Sequence, residues 1–246
     1  MSKRNEVMTI IIAIKCDGGA VIVSDGRVVR LDEYRAERKI FRIGKKLLIG
    51  LAGTTGVIKR IVRSLEGLAD DLGSEESISK LEKELASIYR YHKQIYAENF
   101  GSQEEFNRQF YGQMLAIDDK NIYVFYFDGF PEPCTNYEAI GSASSYVRTL
   151  LEAFYETNIS IERACELGVY CILQAMRVSR DIGEPIQVGV VRSDEEAEIL
   201  DPDKVGEIIE RINGRERILR EVWSILSRKP ELQEKVEEFI KTLTSI

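Results

Sequence analysis

The sequence predicts an α+β fold built in layers, and three observations carry that prediction. Short β-branched and apolar runs come in pairs around Gly-containing or polar turns. Longer blocks between them repeat apolar residues every third or fourth position. The order along the chain is strands, two helices, strands, two helices, strands, which suits two antiparallel sheets between pairs of helices. Periodicity alone reaches only a layered α+β domain. With 246 residues, 44% of them hydrophobic, the chain can bury a substantial core in one large domain.

Thr9 to Lys15 is β-branched and apolar up to its last residue, Gly18-Gly19 makes a turn, and Ala20 to Val23 starts a second apolar run. These two runs read as a hairpin. Asp25 falls at the end of the second strand, from which a side chain can reach the start of the first. A charged turn then precedes a second pair, Lys39 to Ile43 and Leu47 to Leu51, around Gly44-Lys45-Lys46. From Thr54 the period changes: Val57, Ile58, Ile61, Val62, Leu65 and Leu68 recur at helical steps until Gly73. Ser74-Glu75-Glu76-Ser77 offers capping groups to a second helix carrying Ile78, Leu81, Leu85, Ile88 and Ile95. Gln113 to Ile117 and Ile122 to Phe127 form another hairpin around the polar turn Asp118 to Asn121. Pro131 and Pro133 interrupt the chain, and Tyr137 to Ile140 leads into Gly141-Ser142-Ala143-Ser144-Ser145. Helices from Tyr146 to Phe154 and from Ile161 to about Arg180, then closing strands at Ile186 to Val191 and Glu198 to Leu200, complete the domain.

Charge and composition exclude several classes. The net charge of −7, with acidic and basic residues interspersed, gives no reason to expect nucleic acid or an anionic membrane surface as partner. The opening residues carry charge without the apolar core of a secretory signal, and no stretch approaches the roughly 20 apolar residues that span a bilayer. A cytoplasmic location is expected. Cys16, Cys134, Cys165 and Cys171 lie at irregular spacing without a CxxC, as suits reduced structural thiols. His92 is the single histidine, so neither a zinc site nor a Ser-His or Cys-His mechanism is expected, and no cofactor is called for. A hydrolase made from this chain needs another base.

Thr9, Asp25 within SDGR, Lys39 within RKIF and Gly53 within LAG stand in order at spacings that resemble a proteasome β-type subunit, or its bacterial HslV relatives, in the N-terminal-nucleophile hydrolase superfamily. The likeness runs without a gap from Thr9 to Asp25, meets a shorter loop before Lys39, and extends to about Leu200. It implies the four-layer αββα sandwich of that superfamily. It also implies a domain over residues 9–201, after a tail or propeptide at 1–8 and before a helical extension at 202–246. Ser142 matches a serine beside the nucleophile and Asp181 an aspartate that orients it. Ala143 stands where the family has Gly, and Ile182-Gly183-Glu184-Pro185 lacks the serine that usually follows the aspartate. A Gly-Ser-rich turn opening a helix could also hold phosphate on free N–H groups, but the G-x-G-x-x-G and Walker spacings are absent.

The resemblance implies amide hydrolysis through an acyl ester on Thr9. A threonine hydroxyl is a weak nucleophile until a base takes its proton. The α-amino group of an N-terminal threonine, with a pKa of about 7.7–8.0 in model peptides, can do so. Lys39 would keep that amine neutral and stabilise alkoxide character, Asp25 would hold Lys39, and the Gly53 N–H would donate to the oxyanion. Met8 stands where the family has Gly, a departure that weighs against activity: either cleavage between Met8 and Thr9 is inefficient, or Met8 is the initiator and its removal exposes Thr9. The positions matching the family's specificity pocket are Val28, Leu51 and Thr55, a mostly apolar set that predicts large apolar side chains before the scissile bond. The expected partners are a peptide or unfolded protein substrate, like or unlike subunits of a ring, and an ATP-dependent unfoldase. An inactive subunit kept for assembly or regulation, or a non-proteasomal amidase or ligase, is the alternative.

After Asp201-Pro202 the chain departs from the family. Ile208, Ile209 and Ile212, then Leu219, Val222, Trp223 and Leu226, form apolar stripes that Gly214 is expected to separate. Pro230 precedes a third stripe of Leu232, Val236, Phe239, Ile240 and Leu243. Such stripes need burial, either on the subunit's own helix layer or, by the reading preferred here, against a neighbouring subunit or a ring face.

Overall fold

The computed structural model describes residues 9–30, 33–66, 74–99, 112–126, 131–229 and 232–244. The strands are β1 (Ile10–Cys16), β2 (Gly19–Ser24), β3 (Arg27–Arg30), β4 (Glu33–Ala36), β5 (Ile40–Ile43) and β6 (Leu47–Gly53). They continue with β7 (Gly112–Ile117), β8 (Ile122–Tyr126), β9 (Glu132–Cys134), β10 (Tyr137–Gly141), β11 (Gln187–Arg192) and β12 (Glu198–Ile199). The helices are α1 (Thr55–Glu66), α2 (Ser74–Asn99), α3 (Ser144–Phe154), α4 (Ile161–Val178), α5 (Pro202–Arg228) and α6 (Gln233–Thr244).

Two five-stranded antiparallel sheets form, in the orders β10-β1-β2-β11-β12 and β5-β6-β7-β8-β9. Their facing sides share one core that includes Ile11, Ala13 and Ile22 from the first sheet and Ile40, Leu48 and Leu115 from the second. The alternate residues of the second sheet, among them Ile49, Leu51 and Met114, pack instead with Val57, Ile61, Leu81 and Leu85 of α1 and α2. α4 lies against β1 and β2, with α3 beside it against β10. The layers therefore run helices, sheet, sheet, helices, as the resemblance implied. Burial on both faces explains why β1, β2 and β6 read as continuous apolar runs rather than alternating ones.

Local chemistry sets the corners. Asp118 Oδ1 accepts from the Lys120 and Asn121 amides at 2.8 and 2.7 Å, closing the β7–β8 turn that the sequence predicts. Thr54 O receives the Val57 and Ile58 amides as α1 begins, and Ser160 Oγ caps α4 by accepting from Arg163 N. The predicted end of the first helix at Gly73 lies outside the described residues.

Three details differ from the sequence reading. The charged turn after Gly26 contains a hairpin, β3–β4, whose second strand is exposed throughout and so shows no apolar alternation. Pro133 does not break the chain's pairing: it sits in β9 opposite Tyr123 on the edge of the second sheet, where a missing N–H is tolerated. Gly214 does not separate two helices, since α5 runs through it unbroken; a mid-helix glycine costs only about 1 kcal/mol.

The described chain divides into two compact units, one ending at Val205 and one comprising Gly206–Ile246. In the second, Ile218, Leu219, Trp223 and Ile225 on α5 and Phe239 and Ile240 on α6 are exposed. Among the described residues no helix is long and apolar enough to cross a membrane.

Candidate functional site

The β1–β2 register sets Ile11 opposite Ser24, which brings the entry to β1 beside the exit of β2. Thr9 directly precedes β1 and Asp25 directly follows β2. The Asp25 amide donates to Ile10 O at 3.3 Å, and the Ile10 amide returns a bond to Asp25 Oδ1 at 3.0 Å. Lys39 directly precedes β5 in the other sheet, and its backbone is tied to β6 by the Leu51 amide, which donates to Lys39 O at 3.1 Å. Its side chain therefore reaches across the interface between the sheets. There Lys39 Nζ donates to Thr9 Oγ1 at 3.0 Å, to Asp25 Oδ1 at 2.7 Å and to the Arg27 carbonyl at 2.7 Å. An ammonium has three N–H groups, and here each has an acceptor.

Thr9, Asp25 and Lys39 are 1%, 0% and 4% exposed. Burial pushes the Lys39 ammonium below the usual lysine range against the opposing pull of Asp25, and pushes the Asp25 carboxyl up against the pull of Lys39. Such a pair persists only when its polar atoms are satisfied. Asp25 meets that demand. Besides Lys39 and Ile10 on Oδ1, its Oδ2 accepts from the Arg27 and Gly183 amides at 3.2 and 3.4 Å.

The loop after α4 is docked on this corner. Gly183 O accepts from the Gly26 and Arg27 amides at 3.0 and 3.2 Å, and Arg27 Nη1 donates to Arg180 O at 2.7 Å. A Cβ on Gly26 would lie 2.3 Å from Pro185 O, so only glycine permits this approach. The Arg27 carbonyl and the Gly183 amide carry no sequence signal, because both contributions come from the backbone.

Ser142 stands on the other side of Thr9. Its amide donates to Thr9 O at 2.9 Å, and its hydroxyl is 3.4 Å from the same oxygen. Gly141 makes the approach possible, with φ of +102° and a Cβ position that would fall 2.0 Å from Thr9 O. Asp181 is half-buried in the loop before Gly183, and among the described residues it makes no hydrogen bond to Thr9 or Ser142. Gly53 ends β6 opposite Gly112 with φ of +150°. Val28 is buried on β3, Thr55 is half-buried at the start of α1, and Leu51 is 1% exposed within the core beneath α1. Of the residues the sequence singles out, the fold thus brings Thr9, Asp25, Lys39 and Ser142 into direct contact. Among the described residues no group of three or more His, Cys, Asp or Glu side chains is arranged to hold a metal.

Residues 8–191 match the family model described as Proteasome subunit. The chain belongs to the proteasome subunit family. Among curated relatives, it is 27% identical over 215 residues to a "Proteasome subunit alpha" of Methanosarcina thermophila, covering 83% of this chain and 82% of the relative. It is 25% identical over 199 residues to a "Proteasome subunit beta 2" of Korarchaeum cryptofilum (strain OPF8), covering 76% and 93%. The fold resembles the solved structure of "Anbu (ancestral beta-subunit) from Yersinia bercovieri", with a TM-score of 0.67 at 16% identity over 88% of this chain and 97% of that one. It also resembles an Anbu Gly-1 mutant from Hyphomicrobium sp. strain MC1, with a TM-score of 0.66 at 14% identity over 88% and 96%. The family match covers the corner that holds Thr9 and the sandwich up to β11; it stops before β12 and before α5 begins at Pro202.

Proposed function

We propose that this proteasome-family subunit is a threonine-type peptidase of a ring assembly, active once Thr9 carries a free amine. The observation that carries the reading is the buried contact from Lys39 Nζ to Thr9 Oγ1 at 3.0 Å, with Asp25 Oδ1 2.7 Å from the same nitrogen. An ammonium donating to the hydroxyl oxygen favours alkoxide character there. It does not take the proton, so the base is the Thr9 amine. That amine accepts the Oγ1 proton as Oγ1 attacks the scissile carbonyl, and the resulting oxyanion is met by the Gly53 N–H. Collapse expels the amine half of the peptide with the proton just taken, leaving an ester on Thr9 that water hydrolyses. Ser142 holds the Thr9 carbonyl through its amide. Asp181, which among the described residues makes no hydrogen bond to Thr9, takes the role of orienting the free amine only by the family resemblance.

The relatives include subunits named alpha and beta, so the match does not by itself assign a catalytic class; the Thr9–Lys39–Asp25 contact supports the peptidase. A chain engineered to start Met-Thr9 is expected to cleave peptides or react with a threonine-directed electrophile, and Thr9→Ala to do neither. A folded, assembled Thr9-first chain that does neither returns the subunit to a structural or regulatory role. Val28 and Thr55, with Leu51 as floor, form the pocket for the residue before the scissile bond. Buried apolar surface there contributes about 25 cal/mol per Å². A peptide-library profile dominated by large apolar residues is expected, and one dominated by Lys, Arg, Asp or Glu overturns this assignment. Ring assembly is read by light scattering, where a chain ending before Pro230 is expected to lose oligomeric mass if the C-terminal unit joins subunits.

A further inference from the structure

Lys39 acts through the tip of a long side chain, so its effect on Thr9 depends on where its backbone is held. One side of that backbone belongs to β6. The other faces outward from β5, the edge strand of the second sheet, where among the described residues no neighbouring strand supplies partners. Gln187, the first residue of β11 in the opposite sheet, fills that place. Its Oε1 accepts from the Lys39 amide at 2.9 Å and from the Ile40 amide at 3.3 Å, while its Nε2 donates to the Glu37 carbonyl at 2.8 Å. One carboxamide, offering an acceptor and a donor in a fixed plane, thus stands in for a peptide unit of a missing strand. Glutamate could not donate to Glu37 O, leucine could do neither, and asparagine is one methylene shorter.

We propose that Gln187 is a positioning residue for the catalytic lysine, holding the Glu37–Ile40 backbone so that Lys39 Nζ reaches Thr9 Oγ1. This rests on the peptidase reading only for its kinetic consequence; the placement of Lys39 can be read without activity. The first sheet then supplies the nucleophile, the carboxylate and the anchor of the lysine, although the lysine itself belongs to the second.

A second bridge between the same two strands, at their other ends, provides the control. Lys46 Nζ, in the β5–β6 turn, donates to Arg192 O at 3.3 Å and Ser193 O at 2.6 Å at the end of β11, and among the described residues it makes no hydrogen bond to a site residue. In the Thr9-first chain, Gln187→Met is expected to lower kcat 10- to 100-fold with KM within threefold of the parent. Lys46→Met is expected to change neither more than twofold. Titration of Lys39 followed by NMR of its side chain should show its pKa rising toward the ordinary lysine value in Gln187→Met and unmoved in Lys46→Met. The inference is overturned if folded Gln187→Met keeps kcat within threefold, or if Lys46→Met loses as much. If the parent Thr9-first chain is inactive, the peptidase reading fails, and the titration alone decides: an unmoved Lys39 in Gln187→Met sinks the positioning role. Should Gln187→Met not fold, Gln187→Asn takes its place, with a kcat loss above threefold expected and parental kcat decisive against it.

Discussion

Two aspartates were expected to serve one nucleophile, and the fold treats the places that hold them differently. Asp25, at the end of β2, is fully buried and accepts from Ile10, Arg27, Gly183 and Lys39. Asp181, in the loop after α4, is half-buried and bonds to neither Thr9 nor Ser142. The first carboxylate is built into the junction of two strands, a loop and the opposite sheet, so its removal disturbs both fold and chemistry. The second sits on the rim, so its removal should be felt in the chemistry alone.

The strongest way to break that contrast is to strip Lys39 from Asp25. Lys39→Met leaves a buried carboxylate without its counter-charge and is expected to abolish activity of the Thr9-first chain and cost about 3–5 kcal/mol. The cost should depend on pH. With the folded pKa of Asp25 above its ordinary 3.8, its contribution is fully present below 3.8 and is lost as pH rises through the raised folded value. Removing Lys39 takes away the group that pulls that value down. Urea unfolding of Lys39→Met against the parent should therefore show the largest deficit near neutrality and a shrinking one toward pH 4. A deficit constant with pH would mean that the pair's charge is not what the fold responds to.

At the rim, Asp181→Asn is expected to lower kcat by less than tenfold and to leave urea stability within about 0.5 kcal/mol of the parent, as for a surface change. A loss of stability matching that of Lys39→Met would erase the distinction between the two aspartates. The smallest effect concerns burial away from the site. Desolvation raises Cys16, Cys165 and Cys171 to about 12 and Cys134 to about 11. None should react appreciably with a thiolate-selective reagent at pH 7.5 until the protein unfolds. Rapid labelling of any of them in the native protein would count against that burial.

The main sandwich was legible because its strands are short, apolar and bounded by turns that glycine or aspartate must make. Thr9, Asp25 and Lys39 were legible through the resemblance to the proteasome β-type pattern, and the structure sets each directly beside such a strand. The β3–β4 hairpin was not, since Glu33, Tyr34, Arg35 and Ala36 are all exposed and strand alternation is a signal of burial. Nor was the continuity of α5 through Gly214, because a punctuating residue records a local preference that the rest of a helix can outweigh.

By itself, then, the sequence determined which residues flank the apolar strands of the sandwich, and with them the chemical types available beside Thr9. Only the tertiary structure decided which of those groups meet. Lys39 reaches Thr9 because two sheets pack face to face, Asp25 is satisfied because a loop more than 150 residues away delivers the Gly183 amide, and Gln187 completes an edge strand of the other sheet. Backbone donors and acceptors are the same in every residue, so a contact made through them leaves no mark in the sequence until the fold brings the two segments together.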